Sequence, residues 1–94
     1  MTKAELTDTI ADKTGIDRKN VLAVVENLME EIKKSMEKEE PVYLRGFGSF
    51  IIKHRAEKTA RNISRNTTMI IPAHNVPAFK PAKEFVKEVS KLEE

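Results

Sequence analysis

Carboxylates, imidazoles, thiols and glycine-rich loops are the groups from which sites are built, and this chain offers them in few combinations. Its Asp residues, Asp8, Asp12 and Asp17, all lie near the start, so Asp clusters of the kinase, nuclease or calcium-loop type have no material downstream. Asp8 and Asp12 fall on one helical face, but Lys3 and Lys13 flank them and no third ligand follows, which reads as a solvated polar face. His54 and His74 are far apart in sequence and have no Cys to complete a zinc set. The GFG at residues 46–48 is too short to cradle a phosphate and lacks a following Lys-Ser or Lys-Thr. The absence of Cys excludes a disulfide framework, a thiolate metal site and a cysteine nucleophile, and fits a reducing compartment, with the cytoplasm as default. The expectation is a protein that is not an enzyme, with no cofactor, no metal and no small-molecule substrate.

Positive charge is what the chain offers instead. Its formal net charge is only +2, but residues 1–40 carry −3, residues 41–83 carry +7 and residues 84–94 carry −2. Lys53, Arg55, Lys58, Arg61 and Arg65 crowd into a stretch, RAEKTARNISRNTT and its approach, that holds one acid and too little apolar bulk to join a core. A two-stranded ribbon in water is marginal, and this one also repels itself, so it gains by docking on a polyanion whose counterions are released. All five aromatics lie outside residues 51–78, so the ribbon has no ring on which to stack unpaired bases. Double-stranded nucleic acid is the expected partner. At the middle of the stretch, Asn62 and Asn66 suit a hairpin tip. Ile63 between them serves no core there, and its functional reading is an apolar wedge pushed between base pairs from the minor groove.

These side chains must be held by elements, and at 94 residues the expectation is one domain, residues 1–94. Thr2 and Glu5 have capping-box spacing, so a helix starts at Lys3, buries Leu6 and Ile10, and ends at Gly15. Asp17 caps a second helix whose apolar face runs through Val21, Val25, Leu28, Met29, Ile32 and Met36 to about Glu39. From Pro41 the period changes: PVYLR and GFGSFIIKH read as strands around a bend at Gly46 and Gly48. Alternation puts Phe50 and Ile52 on one face, toward the helices, with Ile51, Lys53 and Arg55 on the other. Strand character resumes at MIIPA and from Val76 to Phe79, and Pro72 and Pro77 imply an edge position or breaks in the ladder. A short helix closes the chain, with Phe85, Val89 and Leu92 on one stripe. The apolar runs, such as residues 69–73, fall far short of a membrane span or a signal-peptide core.

GFGSF, HRAEKTARN and NVPAFKPAKEF, in this order and spacing, resemble the bacterial histone-like HU and integration host factor family over the whole chain. The resemblance implies an α+β fold: an N-terminal two-helix hairpin, a three-stranded antiparallel sheet with a protruding β-ribbon arm and a short C-terminal helix. It also implies an intertwined dimer, homodimeric or heterodimeric with a paralogue. In that scheme residues 1–40 form a helical dimerisation base, residues 41–83 the sheet and basic arm, and residues 84–94 the last helix. Lys53, Arg55, Lys58 and Arg61 match arm cations and Asn62 the arm-tip Asn. Gly46, Gly48 and Ser49 match the bend near the DNA backbone, and Lys3, Lys80 and Lys83 match cations under or beside the duplex. Phe47, Phe50 and Phe79 match the dimer core. The family's Arg-Asn-Pro-x-Thr-Gly tip is replaced by RNISRN, so Ile63 takes the place of the wedge Pro, and Arg65 adds a cation beside it. Ala82 stands where Gly is common.

The function this implies is architectural: minor-groove binding of duplex DNA with low sequence specificity, bending and compacting it in the cytoplasmic nucleoid. Two alternatives stand beside it. One is a site-selective bender that reads deformability; the other is a helical dimerisation or adaptor module whose arm meets an acidic protein.

Overall fold

The computed structural model describes residues 1–62 and 67–91, residues 60–62 through their backbone alone. The chain forms two compact units, Met1–Ser35 and Met36–Glu94. Among the described residues no helix is long and apolar enough to cross a membrane.

The first unit is built by local rules. Helix α1, Lys3–Thr14, starts where Thr2 Oγ1 accepts the Glu5 amide at 3.2 Å. It ends at Gly15, whose φ of 73° is left-handed and whose N–H reaches Ala11 O at 2.9 Å. Only a residue without Cβ takes that conformation cheaply. Helix α2, Arg18–Glu37, follows Asp17, whose carbonyl accepts from the Asn20 and Val21 amides. Lys3 Nζ lies 3.1 Å from Glu26 Oε1, and Arg18 pairs with Asp8, so one of the two acids expected on a purely solvated face has a partner on the next helix. The stripe expected to be buried at Leu6 and Ile10 is exposed, at 45% and 38%, and Leu28 and Met29 on α2 are also exposed. The side chains that are buried are Val21 and Thr7, the latter satisfied through its hydroxyl by Lys3 O at 2.7 Å. Among the described residues, the apolar stripes of these two helices are left uncovered.

In the second unit, α2 ends two residues earlier than expected. Glu39 adopts φ 61° and donates its N–H to Met36 O, closing a tight turn. Strands β1 (Val42–Leu44), β2 (Gly48–Arg55) and β5 (His74–Pro81) form an antiparallel sheet in the order β1-β2-β5. Strands β3 (Lys58–Asn62) and β4 (Thr67–Ile71) form a separate two-stranded ribbon. The β2/β5 ladder runs to Arg55↔His74, and pairing resumes in the ribbon at Lys58↔Ile71. Pro72 lies in the break and Pro77 on edge strand β5, as a residue without an N–H requires.

Gly46 at φ 80° makes the bend between β1 and β2. The following Phe47 carbonyl accepts the Ala82 N–H at 2.9 Å, so the bend is tied to the start of α3, Lys83–Ser90. On the Phe50 face of the sheet, Phe47, Phe50, Phe79 and Phe85 form a chain of ring contacts with centroids 5.0–6.3 Å apart. This cluster places one helix, α3, against the face that alternation assigns to the interior. Phe47 and Phe79 nevertheless remain 46% and 39% exposed.

Candidate nucleic-acid interface

Cross-strand partners share a face of a sheet and successive residues alternate. Lys53 and Arg55 therefore stand on the face opposite Phe50, with Val76 and His74 as their neighbours on β5. Both cations are exposed. Past the break, Lys58 lies across from Ile71 and Arg61 across from Thr68. The cations thus follow one another along β2 and β3, while the partner strand β4 has no charged residue and every residue of it is exposed.

A second group of cations collects at the bend. Gly46, Gly48, Ser49, Lys80 and Lys83 border one open cleft of about 350 Å³. The geometry explains each contribution: Gly46 turns the chain, Ser49 pairs with Lys80 across the ladder, and Lys83 opens α3. Gly48 is buried, and a Cβ there would lie 2.6 Å from both Lys80 O and Phe79 Cζ. Its lack of a side chain is a packing requirement of the sheet before it is anything else. Arg45 and Tyr43 line the same cleft. Neither stands out by spacing in the sequence; the signal for Arg45 is its place immediately before the GFG bend, next to residues already singled out.

Among the described residues none of Arg45, Lys53, Arg55, Lys58, Lys80 or Lys83 takes part in an ion pair, whereas Lys3, on the other unit, is engaged by Glu26. Unpaired cations at an exposed surface are what a phosphate backbone neutralises. The expectations for Ile63 and Arg65 lie outside the described residues, as do those for the side chains of Arg61 and Asn62; the backbone pairing Asn62↔Thr67 puts residues 63–66 between β3 and β4. Among the described residues no group of three or more His, Asp or Glu side chains could hold a metal ion.

A family model described as bacterial DNA-binding protein matches residues 1–90. The chain is 40% identical over 91 residues to integration host factor subunit beta of Marinobacter nauticus, covering 96% of this chain and 93% of that protein. It is 38% identical to DNA-binding protein HU of Clostridium pasteurianum, covering 97% and 100%. Among solved structures, HU of Anabaena, co-crystallised with DNA, superposes with a TM-score of 0.91 at 38% identity over 96% of this chain and 98% of that one. HU of Thermotoga maritima gives 0.67 at 29% identity over 95% and 98%.

Proposed function

Because this chain belongs to the family of bacterial DNA-binding proteins that holds HU and the integration host factor subunits, we propose that it grips duplex DNA through the minor groove, bends it and compacts it, with little preference for sequence. It is a histone-like architectural protein whose partners are double-stranded DNA and a second subunit. Its place of action is the bacterial nucleoid, and its work is binding and deformation of DNA without catalysis.

The observation that carries the reading is the row of exposed cations, in no ion pair among the described residues, that begins at Lys53 and Arg55 on β2 and continues at Lys58, with Arg61 further along the same strand β3. We assign phosphate contacts to these four and to Arg65, and contacts beside the duplex to Lys3, Lys80 and Lys83 and to the bend at Gly46, Gly48 and Ser49. Asn62 and Ile63 act at the arm tip, Ile63 as the wedge. Phe47, Phe50 and Phe79, already in ring contact, build the core shared between subunits. The whole chain acts as one module, with residues 1–40 as helical base, 41–83 as sheet and arm, and 84–94 as closing helix.

Binding of a fluorescent duplex at increasing salt tests this. The logarithm of affinity falls steeply with the logarithm of salt, and Arg61→Ala flattens that slope by about one unit per chain. Absence of duplex affinity at low salt would instead favour an adaptor that meets an acidic protein.

A further inference from the structure

His74 is the last β5 residue of the β2/β5 ladder, directly across from Arg55 and therefore on the same face as Arg55 and Lys53. Its ring is exposed. Its Nδ1 lies 2.9 Å from Pro72 O. A carbonyl oxygen only accepts, so Nδ1 carries the hydrogen and the neutral ring keeps a bare lone pair at Nε2. A phosphate oxygen, also an acceptor, gains nothing from that nitrogen. Adding a proton at Nε2 creates an N–H donor and a positive charge, and it leaves the hydrogen bond to Pro72 intact. The ring needs no rearrangement to pass from one state to the other.

We infer that His74 is a DNA-contacting residue whose hydrogen bond to a backbone phosphate forms only when the ring is doubly protonated, so that duplex binding takes up a proton at the root of each arm. The inference rests on the reading of the Lys53 and Arg55 face as the DNA surface. The charged groups on that face are Arg55 opposite and Lys53 two residues along β2, with Glu57 within the break and Lys58 at the start of β3. Among the described residues none of these pairs with the His74 ring, whose one side-chain hydrogen bond is to Pro72 O, so the phosphate is the counter-charge we assign it. His54 supplies the contrast. It sits one rung away on the other face, its Nδ1 3.1 Å from Asn75 Oδ1, while Asn75 Nδ2 donates to Glu39 Oε1 at 2.7 Å. That chain of hydrogen bonds ends on a carboxylate of the protein itself, so a charge on His54 is answered internally.

The sign follows from linkage. The complex holds the proton more tightly than the free protein does, so affinity is highest where histidine is charged and falls as pH rises through its range. Duplex affinity and its salt slope are measured at about pH 5.5 and about pH 7.5, inside the window in which histidine changes charge. The wild-type dimer binds about tenfold tighter at the lower pH, and its salt slope is steeper there by about one unit per chain. His74→Gln binds with little dependence on pH. His74→Lys keeps the low-pH affinity at both values, which separates a charge effect from damage to the fold. His54→Gln retains the wild-type pH dependence. An undiminished pH dependence in His74→Gln, or equal wild-type salt slopes at the two pH values, overturns the inference and leaves the DNA-binding reading standing. Loss of wild-type duplex binding at both pH values in low salt overturns the reading itself.

Discussion

A methyl group added at residue 48 has no room. The atoms it would meet are a backbone carbonyl and the end of a phenylalanine ring held among other rings, and neither can swing aside as a flexible side chain would. Gly48→Ala is therefore expected to cost about 1–3 kcal/mol, the range for overpacking a filled site, read as a lower urea midpoint with unchanged slope. Gly46→Ala meets open space and suffers only its positive φ, about 1–2 kcal/mol. The two glycines read alike in the sequence. They differ because a close approach is a property of the neighbouring strand, and spacing along the chain does not report it. Likewise the pairing of Asp8 with Arg18 and of Lys3 with Glu26 depends on how α1 meets α2, which no helical wheel of either alone discloses.

The elements themselves were legible, because the forces that set their ends are local. Thr2 and Gly15 bracket α1, proline marks the break before β5 and its edge position, and alternation sorts Phe50 from Lys53. Glu37 ends α2 early because the turn closed by the Glu39 N–H is a backbone event, permitted by a left-handed φ that a Glu seldom signals. For the ribbon the consequence is mechanical. On the reading proposed above, charge on β3 draws it to phosphates, but charge alone does not unstack bases; an apolar side chain inserted between base steps does. Ile63→Ala should thus lower the bend more than the affinity, measured as end-to-end energy transfer on a doubly labelled duplex. Equal bending by variant and wild type would take Ile63 out of that role.

For the molecule as a whole, the decisive fact is how little one chain buries. Val21 and Thr7 are the buried side chains among the described residues apart from Gly48, while Leu6, Ile10, Leu28, Met29, Phe47 and Phe79 stay exposed. An apolar cleft of about 330 Å³ between β5 and α3, lined by Phe79, Phe85, Val86 and Val89, is likewise open. On the reading proposed above, this surface is what the second subunit covers, and unfolding is then coupled to dissociation. The melting temperature is then expected to rise by roughly 3–6 °C for each tenfold increase in protein concentration, checked by calorimetry over a dilution series; a midpoint independent of concentration would mean that the single chain stands alone. This is also where pattern reading met its limit: the stripes on α1 and α2 are recognisable, but what covers them is not set by the spacing of their own apolar residues.

The open ring cluster of Phe47 and Phe79 has a corollary for the cell that makes this protein. A copy that has not paired leaves those rings partly open to water, and encounters between copies scale with the square of their concentration. Below the concentration at which half the chains are paired, doubling the total therefore more than doubles the paired form.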